Sequence, residues 1–174
     1  LAKQGHDVHF LMRRDYEAVR SRGLEVRSCD GDFRLQPNVY PTAKELGQCD
    51  LVIIGLKATQ NEALAELLSP VVGPETLVLT LQNGLGNEEE IARVLREAGH
   101  EKPEERILGG IAFICSNRVE AGVINHTAHG WIRLAEFSGA AQERTHQIGE
   151  MFGSAAINVE VFDSLTQIRW EKLV

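Results

Sequence analysis

The sequence predicts an α/β protein built on a doubly wound, mostly parallel sheet with an antiparallel extension. Short apolar runs alternate with amphipathic helical segments over short connections, which is the order of strand–helix–strand units. Two of the runs, 51–55 and 76–81, lack period-2 alternation and are expected to be strands buried on both faces. Antiparallel pairing is expected later in the chain.

In the first third of the chain, residues 1–5 resemble the last turn of a helix that ends at Gly5. A buried strand is predicted next, followed by a short helix that begins at Asp15 and ends at Gly23. Two short runs around the turn signal CDGD predict a hairpin, and Thr42 with Glu45 predicts a brief helix. The predicted strands are 8–12, 24–28 and 33–36.

In the middle of the chain, each buried strand is followed by a helix. Thr59 with Glu62 forms a capping-box pattern after the strand at 51–55. A weaker pattern, Asn87 with Glu90, follows the strand at 76–81. The apolar positions that predict the inner faces of the two helices are Ala63, Leu64, Leu67, Leu68, Ile91, Val94 and Leu95.

The last third predicts strand 107–114, an antiparallel meander formed by 119–127 and 131–135, helix 140–154 and strand 157–162. Asp163 or Ser164 then caps a final helix that runs to the end of the chain. Because the chain opens on a helix tail without Met and closes within a helix, we expect the fold to be truncated at both ends.

Composition excludes several classes of protein. Of 174 residues, 43% are hydrophobic and 25% charged, as in globular proteins, and the net charge of −7 argues against binding to nucleic acid or an anionic membrane. No apolar run approaches the roughly 18–20 residues of a membrane span. Three scattered cysteines argue against a disulfide framework and favour the cytoplasm.

Two candidate binding residues follow predicted strands. In dinucleotide-binding sheets, an arginine at the end of the second strand accommodates the 2′-phosphate of NADP. Arg13 of LMRRD follows the predicted strand 8–12, which would be the second strand of the full sheet if the first is missing from the truncated start. Lys57, in GLKATQ, could meet a phosphate or a carboxylate beyond the strand at 51–55. Solvated surface side chains are the alternative for both.

Two further candidates are in QNGLG and RWEKLV. The glycines Gly84 and Gly86 let the backbone approach a ligand closely, and the Asn83 amide can both donate and accept. Lys172 lies near the apolar side of the last helix, where burial would suit it to proton transfer; an exposed lysine is the alternative. His126 and His129 have HxxH spacing without a neighbouring cysteine or acidic cluster in the sequence, so no metal site is expected.

Taken together, KQGHDVHFLMRR, LKATQ, QNGLG, GVINHTAHG and WEKLV resemble the ketopantoate reductase family over nearly the whole chain. The resemblance implies a Rossmann-like domain at 1–162, without its first strand and GxGxxG turn. It also implies that 163–174 form the first helix of a missing helical substrate domain. The implied activity is NADPH-dependent reduction of 2-dehydropantoate to pantoate, in pantothenate and coenzyme A synthesis, with a homodimer possible and this fragment inactive by itself.

By position, the resemblance assigns roles to individual residues. Arg13 corresponds to the arginine that binds the 2′-phosphate, and Lys57, Asn83 and Gly84 to the cofactor cleft. Asn83 and Lys172 correspond to residues that bind the ketoacid, and Lys172 to the catalytic acid. Two alternatives stay open: a regulatory NAD(P)-binding module without catalysis, and a related 2-ketoacid or 3-hydroxyacid dehydrogenase. The reductase interpretation requires Lys57, Asn83 and Lys172 to converge on one cavity.

Overall fold

The structure, a computed structural model, describes residues 1–173, and of Leu173 only the backbone. Val174, the last residue of the predicted final helix, lies outside the described residues. The nine strands are β1 (His9–Leu11), β2 (Leu24–Ser28), β3 (Phe33–Leu35), β4 (Asn38–Tyr40), β5 (Leu51–Ile54), β6 (Leu77–Thr80), β7 (Ile107–Glu120), β8 (Val123–Glu136) and β9 (Asn158–Val161). The α-helices are α1 (Tyr16–Arg22), α2 (Leu64–Leu68), α3 (Asn87–Glu97), α4 (Glu143–Ser154) and α5 (Leu165–Leu173). Short 3-10 helices cover Ala2–Gln4, Ala43–Glu45, Ala58–Ala63 and Pro103–Arg106.

Seven strands form one sheet in the order β3-β2-β8-β7-β6-β5, with β9 also paired to β8. β5, β6 and the start of β7 are parallel neighbours, whereas β7 and β8 form a long antiparallel hairpin. β8 is long enough to pair in parallel with β2 near its start and with β9 near its end. β1 pairs in parallel with β4 in a separate two-stranded sheet. The predicted α/β class, mostly parallel with an antiparallel extension, is confirmed.

The core lies on both faces of the main sheet. On one face, α2 and α3 pack their apolar sides against β5, β6 and β7, and Leu11 of β1 joins the same cluster. On the other face, α4 packs Ile148 and Phe152 against β7 and β8. The inner-face residues predicted for α3, Ile91, Val94 and Leu95, are all buried. The main sheet is therefore covered by helices on both faces.

The antiparallel region departs from the predicted meander. Residues 123–127 and 131–135 are one strand, β8, and Val119 belongs to β7. The chain reverses at Ala121–Gly122, whereas His129 and Gly130, with φ of 65° and 130°, form an irregularity within β8. A glycine beside a polar residue marks a turn or a bulge, and pairing with β7 decides between them.

Three further local predictions were wrong in detail. β4 was not predicted, because its three residues carry too little pattern. Ile53 of β5 is 39% exposed, so that strand is not buried on both faces. The N-cap of α3 is Gly86 rather than Asn87, whose side chain bonds to neighbouring loops instead. Of the two candidates for capping α5, Ser164 accepts a hydrogen bond from the Gln167 N–H at 3.2 Å.

Candidate functional site

Lys172 and Asn83, 89 residues apart in the chain, are in direct contact. The Lys172 Nζ in the last turn of α5 donates to Asn83 Oδ1 at 2.7 Å and to the Ala112 carbonyl at 2.7 Å. The ammonium also lies 4.9 Å from the centre of the Phe113 ring, within the range of a cation–π interaction. Two of the predicted site residues thus meet where α5 crosses the turn after β6.

The surroundings of Lys172 favour proton release. Partial burial lowers the pKa of its ammonium below the ordinary lysine range, and the positive charge of Arg169 acts in the same direction. Among the described residues both hydrogen-bond partners are neutral, and an ammonium has three N–H donors. One N–H is therefore left to donate to a ligand, and neither partner is a carboxylate that would stabilise the charged form of the lysine.

Side-chain amides connect the turn after β6 to the loop after β5. Asn61 lies in the 3-10 helix after β5, and it accepts from Gln82 Nε2 at 2.7 Å and donates to Asn87 Oδ1 at 3.1 Å. Asn87 Nδ2 in turn donates to the Asn83 carbonyl at 3.2 Å. Because each amide both donates and accepts, the chain of bonds fixes the position of one strand end relative to the next.

Lys57 lies on this connected loop but not in the contact itself. It is exposed at the N-cap of the 3-10 helix Ala58–Ala63. Within residues 1–173 its ammonium makes no hydrogen bond or ion pair, and the bonds of Lys172 go to Asn83 and Ala112 instead. Asn83 and Lys172 are thus brought together, whereas Lys57 lies on a neighbouring loop with its charge available to a ligand, so the expected convergence of all three residues on one cavity is not met.

Arg13 joins the same edge from the other sheet. It follows β1, is exposed, and its Nη2 donates to Gln60 Oε1 at 3.0 Å, three residues beyond Lys57. The ends of β1 and β5 are therefore linked by a side-chain hydrogen bond. This leaves further guanidinium N–H groups at the surface, where a phosphate could accept them.

The turn between β6 and α3 requires its glycines. Gly84 and Gly86 have φ of 98° and 85°, in the left-handed region that side chains with a Cβ rarely adopt. A Cβ on Gly86 would meet nothing within 4 Å, and one on Gly84 only the Asn87 amide at 4.0 Å. The space beside this backbone is therefore open, as close approach by a ligand requires.

An ion pair beside the site was not predicted. Arg169 of α5 is paired with Glu88 in the first turn of α3, and it donates to the Gln82 carbonyl at 2.7 Å. In the sequence, Glu88 is accounted for as an acidic residue in the first turn of a helix, where negative charge is favourable. Only the packing of α5 onto α3 reveals that Glu88 is the partner. The sequence does place Arg169 one turn before Lys172, on the same side of the predicted helix, which indicates that Arg169 lies near the site.

The groups at this edge suit a dinucleotide with an extra phosphate. Arg13 and Lys57 are exposed cations on the segments after β1 and β5, the glycine backbone after β6 is open, and the partly buried Lys172 bonds to Asn83 in the same turn. Cations and free backbone bind phosphates, whereas a desolvated ammonium can protonate an oxygen. The residues present therefore fit NADPH.

Comparisons with known proteins agree with this arrangement. A family profile described as "Ketopantoate reductase PanE/ApbA" matches residues 1–139. A 2-dehydropantoate 2-reductase from a Nostoc species is 45% identical over all of this chain and 54% of its own length. Within residues 1–173, no helix combines the length and apolar character needed to cross a membrane.

Two crystal structures carry the same fold. That of 2-dehydropantoate 2-reductase from Geobacter metallireducens superimposes with a TM-score of 0.92 at 44% identity, over 99% of this chain and 55% of that one. The enzyme of the same name from Methylococcus capsulatus gives 0.85 at 31% identity, over 98% and 54%. The chain thus spans about half the length of the relatives it matches.

Proposed function

This chain belongs to the ketopantoate reductase family, and we propose that it takes part in the reduction of 2-dehydropantoate to pantoate by NADPH. The observation that carries the proposal is the contact of Lys172 with Asn83 at 2.7 Å. In the proposal, Lys172 is the proton donor and Asn83 the amide that orients it, beside the groups that bind the cofactor. The reaction would serve pantothenate and coenzyme A synthesis in the cytoplasm.

In this proposal, residues 1–162 form the NADP-binding unit and residues 163–174 begin a helical substrate domain. α5 supports the division, because it begins after β9, the last strand of the sheet in chain order. Its Lys172 then bonds to the Ala112 carbonyl of β7. Further helices after α5 would close the substrate side of the cleft. The relatives are nearly twice as long as this chain, which leaves room for them.

Lys172 acts as the general acid. Its remaining N–H donates to the ketone oxygen of the substrate and transfers its proton as the alkoxide forms. Asn83 holds the ammonium in place through Oδ1, and its Nδ2 is available to donate to the substrate. NADPH, when bound, supplies the hydride.

The cofactor-facing groups divide the work of binding. Arg13 binds the 2′-phosphate, and it selects NADPH over NADH because its guanidinium has no such partner in NADH. Lys57 pairs with a cofactor phosphate or with the substrate carboxylate. Gly84 admits the cofactor against its backbone.

The test is an absorbance assay of NADPH oxidation by the full-length protein that contains these residues. It uses a panel of 2-ketoacids, with NADH as the alternative cofactor. We expect 2-dehydropantoate with NADPH to give the highest kcat/KM. Lys172→Ala should lower turnover by about 10²–10⁴-fold, as for loss of a general acid. Lys102→Ala, at an exposed surface lysine, is the matched control.

Two results would overturn the proposal. One is NADPH binding without turnover of any ketoacid, which indicates a regulatory module. The other is a preference for a different oxo acid, which indicates a related dehydrogenase.

A further inference from the structure

Pairing of β2 with β8 brings three metal-ligating side chains together away from the reductase site. Cys29 and Asp30 follow β2, and His126 lies opposite Ser28 in β8. The ligand atoms of Cys29, Asp30 and His126 all lie within 4.8 Å of one another. His126 Nδ1 is 4.0 Å from the Cys29 sulfur and 3.8 Å from an Asp30 carboxylate oxygen. The sequence alone gave no sign of this cluster, because its members are almost 100 residues apart.

The contacts of the other ring nitrogen, Nε2, determine which tautomer a neutral His126 ring adopts. Nε2 lies 2.9 Å from the His129 carbonyl and 3.2 Å from the Ala128 carbonyl. A carbonyl only accepts, so Nε2 carries the proton and Nδ1 of the neutral ring presents its lone pair to Cys29 and Asp30. A histidine that donates one N–H to a backbone carbonyl and turns its other nitrogen to a cation is the usual arrangement at metal sites.

The hairpin turn that supplies the other two ligands is held by its own hydrogen bonds. The Ser28 N–H donates to Asp32 at 2.8 Å, and the Asp30 N–H donates to the Ser28 hydroxyl at 3.1 Å. That hydroxyl lies 2.8 Å from Nδ1 and is the group an ion would displace. Rotation about the Cα–Cβ bond of Ser28 would move the oxygen away from Nδ1, at the loss of its hydrogen bond from the Asp30 N–H.

We propose that Cys29, Asp30 and His126 form a binding site for one Zn²⁺ ion, which clips the β2–β3 hairpin to β8. One sulfur, one nitrogen and one oxygen ligand match the preference of zinc, and a water completes four-coordination. With zinc–ligand bonds of about 2.0–2.3 Å, tetrahedral ligands lie about 3.3–3.6 Å apart. The two distances to Nδ1, 4.0 Å from the Cys29 sulfur and 3.8 Å from the Asp30 oxygen, are a few tenths of an ångström above this range, and side-chain torsions of Cys29 and Asp30 can close the gap. Because the site shares no residue with the reductase site, the proposal stands independently of the proposed function.

The test is a Zn²⁺ titration of chelator-treated, metal-free protein, in competition with a chromophoric chelator. We expect one ion per chain. Cys29→Ser and Asp30→Asn should each weaken binding by at least about tenfold. Cys115→Ser is the matched control, because Cys115 is the other exposed cysteine and is not in the cluster. Equal affinity in wild type and Cys29→Ser, or no stoichiometric binding, would overturn the site.

A second readout works on the wild-type protein and does not depend on a variant folding. Zn²⁺ should slow alkylation of Cys29, mapped by mass spectrometry, and leave Cys115 unchanged. Co²⁺ in place of Zn²⁺ should give a thiolate-to-metal charge-transfer band. Equal alkylation of Cys29 with and without Zn²⁺, or a cobalt spectrum without that band, would contradict thiolate ligation.

Discussion

Arg169 and Glu88 form an ion pair in which both side chains are almost fully buried, 6% and 4% exposed. The pair joins α5 to the start of α3, and Arg169 also bonds to the Gln82 carbonyl next to Asn83. The helix that carries Lys172 is therefore fixed to the turn that carries Asn83 by charge as well as by packing.

Arg169→Met should destabilise the protein strongly. It leaves the Glu88 carboxylate buried without a cation, which costs about 3–5 kcal/mol in the free energy of unfolding. The double variant Glu88→Gln with Arg169→Met leaves no buried charge and should recover most of that loss. Equilibrium urea unfolding measures both, and equal stability of the single and double variants would contradict this role.

The pH dependence of reduction should follow Lys172. Its pKa lies below the ordinary value of 10.5, because burial and Arg169 both disfavour the charged form. Below that pKa the ammonium can donate a proton, and above it the neutral amine cannot. The kcat/KM for reduction should therefore fall with rising pH along a limb below 10.5. The limb should vanish in Lys172→Ala; an identical limb in that variant assigns it to another group.

Arg13→Ala should reduce the preference for NADPH. A charge-assisted hydrogen bond contributes about 1.5–3 kcal/mol, so kcat/KM with NADPH should fall by about 10–150-fold. The value with NADH should change little. Arg14→Ala is the matched control, since Arg14 is the adjacent exposed arginine. Equal losses with both cofactors, or the same loss in Arg14→Ala, would remove Arg13 from the 2′-phosphate site.

Gly109→Ala should loosen the attachment of α5 to the sheet. A Cβ on Gly109 would overlap the Leu165 side chain of α5 and lie 2.6 Å from Glu88 Oε1, so these side chains must move from their places between α5 and the sheet. We expect a loss of about 1–3 kcal/mol in the free energy of unfolding. Gly153 of α4 has no atom within 4 Å of its added Cβ. Gly153→Ala should therefore be neutral or stabilise by up to about 1 kcal/mol, and a similar loss in both variants would contradict the packing argument.

Much of the fold could be predicted because its signals are local. The apolar runs of β5 and β6 and the end of α1 at Gly23 need only neighbouring residues to be recognised. The β7–β8 hairpin could not be assigned in this way. His129–Gly130 resembles a turn in sequence, and only pairing with β7 makes it an irregularity within a strand.

The same difference between local signals and long-range contacts applies to the candidate site. Asn83 and Lys172 could be proposed because Asn83 follows a recognisable strand and Lys172 lies on a recognisable helix, and the structure places them in contact. The pair of Arg169 with Glu88, the bridging amide of Asn61 and the cluster around His126 depend on contacts between distant segments. The pattern of residue types along the sequence does not indicate which distant segments will be in contact.

The central claim, that Lys172 and Asn83 act as one unit in proton delivery, is tested most directly by a double-mutant cycle on kcat/KM for ketoacid reduction. Lys172→Ala and Asn83→Ala should each lower kcat/KM, and the loss in the double variant should be clearly smaller than the product of the two single losses, because the amide has no ammonium left to orient. Losses that multiply in the double variant would show that the two residues act separately and would contradict the account.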